Sequence, residues 1–93
     1  MAVLTDFEIQ QALAGLHGWQ RSGIAILRVF QFPDFKAAMQ FVNKIAEAAE
    51  QANHHPDIDI RYNKVTMLLV SHDSGGVTQR DIRMAERINQ IAV

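Results

Sequence analysis

Apolar and polar positions alternate with two periods along this chain, and the switches between them mark its elements. Thr5-Asp6-Phe7-Glu8 is an S/T-x-x-E capping box, the pattern that satisfies orphan amides at a helix start. Phe7, Ile9, Leu13 and Leu16 follow with loosely helical spacing, and Gly15 and Gly18 end the segment. From Trp19 to Phe32 the composition turns to strand. Two segments around an Arg21-Ser22-Gly23 turn read as a hairpin whose second arm is Ile24–Phe32. Pro33-Asp34 stops that arm and opens a long helix, from about Phe35 to Asn53. Phe35, Ala38, Val42, Ile45, Ala49 and Ala52 form one helical stripe, with Ala37, Phe41 and Ala48 as a second apolar patch beside it. Such a face is wider than a single sheet needs, so the helix is expected to form a subunit contact.

Period two returns at Ile58, Ile60 and Tyr62, which alternate with Asp57, Asp59 and Arg61. Asn63-Lys64 reads as a two-residue turn and Val65–His72 as the returning strand. Ser74-Gly75-Gly76 breaks the strand. Thr78 then caps a final amphipathic helix carrying Ile82, Ala85, Ile88 and Ile91 on one face. The order α-β-β-α-β-β-α predicts an α+β fold: one domain over residues 1–93, with a four-stranded antiparallel sheet and three helices on one face.

Composition narrows the function. The 93 residues suffice for one core, and a chain this small gains stability by self-association. A net charge of -1 with no basic run argues against nucleic acid and an anionic membrane surface as partners. With no cysteine, disulfides, thiolate catalysis and Cys-built zinc sites are excluded. The N-terminus has no basic and apolar leader pattern, and no apolar run approaches the roughly 20 residues of a membrane span. A cytoplasmic protein is the expectation.

The chemistry concentrates on histidine. His54 and His55 stand at the mouth of the second hairpin, and the register that pairs Tyr62 with Val65 also sets His55 opposite His72. An imidazole titrates near neutrality, so three at one site, with no nucleophile elbow or phosphate loop, suit general acid/base work. His54-His55-Pro56 also suits a plain helix-terminating loop, because cations favour a helix C-terminus and proline ends the helix. A metal site is a third reading, against which stands the absence of a His pair with a carboxylate at H-E-x-x-H spacing. His17, between Gly15 and Gly18, reads as an exposed loop residue. Asp81 is a capping residue or a support of the site, and Trp19 is a core anchor or a stacking wall for a flat ring.

Glu50-x3-His54-His55-Pro56-x5-Tyr62-x9-His72-x8-Asp81 resembles the signature of the pterin-4a-carbinolamine dehydratases, and Gly18-Trp19 and the closing helix extend the resemblance over nearly the whole chain. The resemblance implies removal of water from a 4a-hydroxytetrahydropterin to give quinonoid dihydropterin, in support of tetrahydropterin recycling, with no metal and no organic cofactor. By position in that signature, His54, His55 and His72 form the catalytic group. His54 and His72 would act as acid/base residues, and His55 would bind and orient the pterin. Glu50 and Asp81 would hold the site, Trp19 would line it, and the backbone at Pro56 and at Ser71, Asp73 and Ser74 would meet the ring. Asn53 departs from the Asp that animal members often carry there. The resemblance also implies a homotetramer or homodimer. A second implied role, as a non-enzymatic dimerisation cofactor of a transcription factor, belongs to a different class.

Overall fold

Thr5 and Glu8 start the first helix as their spacing predicts. In the computed structural model, which describes residues 2–93, the Glu8 amide donates to the Thr5 hydroxyl (3.1 Å) and the Thr5 amide to the Glu8 carboxylate (2.8 Å). These bonds satisfy two otherwise unpaired donors at the head of α1 (Asp6–Ala14), which Gly15 ends. Only Ile9 of α1 is fully buried; Phe7 points outward.

The first hairpin joins β1 (Gln20–Ser22) to β2 (Ala25–Gln31), with Ser22 opposite Ala25. Its turn is therefore Gly23-Ile24, later than expected, because Gly23 supplies the positive φ (58°) that a tight turn requires. Asp34 caps α2 (Phe35–Ala52) by accepting from the Ala37 amide at 2.8 Å. The second hairpin pairs β3 (Asp57–Arg61) with β4 (Lys64–Leu69), Arg61 opposite Lys64 and Asp57 opposite Leu68. Its turn is Tyr62-Asn63 rather than Asn63-Lys64. Asn63 is held against the end of β2, where its carbonyl accepts from the Phe32 amide and its side-chain amide donates to the Phe32 carbonyl, both at 2.9 Å. The expected and observed registers both keep Ile58, Ile60, Val65, Met67 and Leu69 on one face. Hydrophobic alternation therefore cannot separate them.

The sheet order is β1-β2-β4-β3, all antiparallel, and α3 (Gln79–Ala92) closes the chain. The three helices and four strands follow in the predicted order. Ile26, Phe30, Val65, Met67 and Leu69 form the covered face of the sheet, and Ile45 of α2 and Ile88 of α3 complete the core with no accessible surface. Each such side chain contributes roughly 1.5–3 kcal/mol by leaving water. Phe41 packs between Phe30 and Phe32 in tilted geometry, with ring centroids 4.8 and 5.0 Å away.

Most of the wide apolar face of α2 is covered within the chain, while Phe35 and Ala52 of its stripe stay exposed. Ala38, Phe41, Val42, Ile45, Ala48 and Ala49 are all buried, because α2 packs on the sheet along one flank and on α3 along the other. Uncovered apolar side chains include Phe35 on α2 and, on the edge strand β3 and its turn, Ile58, Ile60 and Tyr62, which are 36%, 37% and 65% exposed. Among the described residues no helix is long and apolar enough to cross a membrane.

Candidate active site

The end of α2 aims the histidine pair. Asn53 takes a left-handed conformation (φ 50°, ψ 42°), and the amides of Asn53 and His54 donate back to the carbonyls of Glu50 (3.3 Å) and Ala49 (3.1 Å). This is the Schellman ending, which needs a residue that tolerates positive φ, and asparagine does so better than most. It turns the chain sharply, so His54 enters the interior while His55 stays outside.

His54 is 7% exposed, and its Nε2 lies 2.6 Å from Oδ1 of Asp81, which has no accessible surface. The other carboxylate oxygen of Asp81 accepts from the Thr78 amide (2.8 Å) and the Ser71 hydroxyl (2.9 Å). The Ser71 proton is thereby committed to Asp81, so the Thr78 hydroxyl donates to Ser71 Oγ across their 2.8 Å contact. Three donors converge on one buried carboxylate, which is how a buried charge avoids an unpaired cost. With Asp81 as acceptor, His54 carries its proton on Nε2 and keeps Nδ1 free to take one. This tautomer follows from the hydrogen-bond network. Asp81 is thus both the N3 half of the capping box that starts α3 and the group that orients His54.

His55 makes the parallel contact outside, its Nε2 hydrogen-bonded to Oε2 of Glu50 one turn back on α2. His72 and Asp73 sit on a tight loop after β4. Ser71 anchors it: its amide donates to the Gly76 carbonyl (3.0 Å), and its own carbonyl accepts from the Ser74 (3.0 Å) and Gly75 (2.9 Å) amides. Gly75 has φ 82°, which a side chain would strain. Gly75-Gly76 serves this turn. His54, His55 and His72, with Asn53, Val70, Asp73 and Arg80, line one cavity of about 300 Å³. Its walls offer proton donors and acceptors to a flat polar ligand.

Several expected residues stand elsewhere. Trp19 does not line this cavity: it is buried in the core, and its indole N–H donates to Asn89 Oδ1 at 2.8 Å. Arg28 shares that oxygen at 2.7 Å and also donates to the His17 carbonyl, while burial lowers its pKa from the ordinary arginine value. The Trp19 side is therefore a structural cluster at the far end of α3. Glu50, Ser71 and Asp81 act from behind the histidines rather than from the walls. Pro56 is buried and Ser74 half-buried, neither lining the cavity. His17 is an exposed loop residue, as expected. His55 and His72 do not face one another across a ladder, because β3 begins at Asp57 and β4 ends at Leu69. The loops on either side of the hairpin bring them to the same cavity.

Arg80 stands outside the histidine signature of the sequence. It lines the histidine cavity and contacts Asp73 at 3.4 Å. The signal was present as Arg80, Arg83 and Arg87, one stripe on the final helix. Among the described residues, no group of three or more His, Asp or Glu side chains is arranged to hold a metal ion.

Comparisons with known proteins converge on one description. The family profile described as "Pterin 4 alpha carbinolamine dehydratase" matches residues 2–91. A provisionally named pterin-4-alpha-carbinolamine dehydratase of Koribacter versatilis is 64% identical over 88 residues, covering 95% of this chain and 94% of that protein. One of Thermomicrobium roseum is 49% identical over 92 residues, covering 99% of each. A crystal structure from Brucella melitensis, described as a transcriptional coactivator/pterin dehydratase, superposes with a TM-score of 0.94 at 42% identity, over 98% of this chain and 99% of that one. A pterin dehydratase-like RuBisCO assembly factor of the α-carboxysome shares the fold at 20% identity, with a TM-score of 0.71 over 82% of this chain and 90% of that one.

Proposed function

The chain belongs to the pterin 4 alpha carbinolamine dehydratase family, and on that premise we propose that it dehydrates a 4a-hydroxytetrahydropterin to quinonoid dihydropterin and water. The observation that carries this reading is the histidine cavity, with one imidazole oriented from behind by a buried carboxylate. In the reaction the C4a–O bond breaks, the N5 lone pair forms the new C=N bond, and the N5 proton leaves. The departing hydroxyl needs a proton and N5 must lose one, which two neighbouring imidazoles provide.

His54, with Nε2 held by Asp81, is the base that takes the N5 proton on Nδ1. His72, on the exposed loop and in exchange with solvent, delivers the proton to the hydroxyl. His55, braced by Glu50, binds and orients the ring. Asp73 and Arg80 complete the rim. No step calls for a metal or organic cofactor. A coupled assay following quinonoid dihydropterin, with the spontaneous reaction subtracted, tests the reading. A rate equal to the spontaneous one overturns it and leaves a binding role, of the kind named for the RuBisCO assembly factor, as the alternative.

The protein works as a homo-oligomer in this reading, a tetramer or a dimer, in the cytoplasm. The exposed apolar residues of β3, an edge strand with one free backbone side, support self-association. Sedimentation showing a monomer at roughly tens of micromolar, where even weak contacts persist, counts against it.

A further inference from the structure

A second cavity, of about 370 Å³, adjoins the histidine cavity and shares His54 and Arg80 with it. The C-terminal turns of α2 and the first half of α3 flank it, and it is open to solvent, with Ala48, Gln51, Ala52, Met84 and three arginines as its walls, Arg83 and Arg87 among them exposed. No carboxylate lines it. That is notable in a chain of net charge -1, because three of its six arginines meet there.

The bonding of these arginines is unequal. Arg21, Arg28, Arg61 and Arg80 each donate to a protein oxygen. Among the described residues, Arg83 and Arg87 have neither a hydrogen-bond nor an ion-pair partner, although both line the cavity. Arg80 spends one terminal nitrogen on Asp73, while its Nε is buried and unpaired. A stripe of arginines on a convex helix face is ordinarily a solvated surface. Here the stripe faces a concavity whose small walls, Ala48 and Ala52, leave room beside the guanidinium groups. The planar fork of arginine matches the oxygens of phosphate and carboxylate two at a time.

We propose that this cavity is a subsite for an anionic group, phosphate or carboxylate, on the side chain of the pterin whose ring occupies the histidine cavity. The substrate class is then an acidic pterin, with Arg83 and Arg87 reading the charge and Arg80 bridging ring and tail. The proposal rests on the dehydratase reading, and it adds the chemistry of the substrate's tail.

Three stable dihydropterins test it by calorimetric titration of the intact protein: neutral dihydroneopterin, its monophosphate ester, and dihydrofolate for a carboxylate tail. The expected result is that one acidic ligand binds at least about tenfold more tightly than the neutral one, the gain typical of a charge-assisted contact. It should compete with the neutral ligand, and its advantage should shrink as salt is raised. Joint substitution Arg83→Gln and Arg87→Gln should bring the affinity ratio close to one, with melting curves confirming the fold. The phosphate and carboxylate arms separate the two tail chemistries. A ratio near one in the unaltered protein, a preference that survives the double substitution, or acidic binding that does not compete each overturns the subsite. Neutral binding without preference sinks the subsite alone, whereas failure of all three ligands to bind sinks the dehydratase reading with it.

Discussion

Two adjacent histidines hold two carboxylates in this site, and burial separates what the pairs do. His54 and Asp81 are 8% and 0% exposed at their side chains; His55 and Glu50 are 54% and 77% exposed. The chemistry of the two contacts is the same. In water the His55–Glu50 pair is worth about 0–1 kcal/mol, since solvent screens it and two mobile side chains must be held. In the interior Asp81 depends on its donors, and a buried polar group left without its partner costs about 1–3 kcal/mol, more where the group is charged. The inner pair fixes a tautomer and a helix end together. The outer pair adjusts the position of a ring.

The comparison breaks most visibly in the rate. His54→Ala should lower kcat by roughly 10²–10⁴-fold, the range for a lost proton-transfer group, measured in the coupled assay after subtracting the spontaneous dehydration. If kcat stays near the unaltered value in folded protein, the inner pair is structural only. His72→Ala should also reduce kcat strongly, and the His54/His72 double variant should lose less than the product of the two single losses if they act as one unit. Independent, multiplicative losses would separate their roles.

Stability sharpens the contrast next. Asp81→Ala removes the carboxylate half of the α3 capping box, the Ser71 acceptor and the His54 partner together. A loss of about 3–5 kcal/mol follows, because a capping contact worth about 1 kcal/mol goes and the buried donors of Ser71 and His54 are left unpaired at about 1–3 kcal/mol each, and for a domain of this size Tm should fall by roughly 12 °C or more. Glu50→Gln should cost less than about 1 kcal/mol and matter least at high salt. Equal melting losses in these two variants would erase the distinction between the pairs. The smallest kinetic effect belongs to the outer ring: His55→Ala should chiefly raise KM and leave most of kcat, while His17→Ala changes neither. A His55→Ala variant with normal KM and collapsed kcat would exchange the roles assigned to His54 and His55.

Local rules carried the element order a long way. The Thr5 and Thr78 capping boxes, Asp34 before α2 and the alternation of Ile58 and Ile60 were all legible, because each depends on residues within one turn or one strand. The histidines were legible as a cluster because Schellman ending, hairpin and loop are all short. The hairpin register was not, since Asn63 is fixed by Phe32, 31 positions earlier in the chain. Trp19 was ambiguous for the same reason: its indole partner, Asn89, is 70 positions away.

What the sequence determined by itself is therefore the local grammar: which segments coil, which extend, where they start, and which residue types are available for acid/base work. Only the tertiary structure decided that Asp81 would serve two elements at once, that His54 would be buried while His55 remained outside, and that most of the α2 stripe would be covered while Ile58 and Ile60 of β3 stayed partly exposed. It also decided that Arg80, Arg83 and Arg87 would face a hollow. The physical reason is that burial and long-range hydrogen bonds depend on what packs from elsewhere in the chain, and periodicity records only which face of an element turns inward.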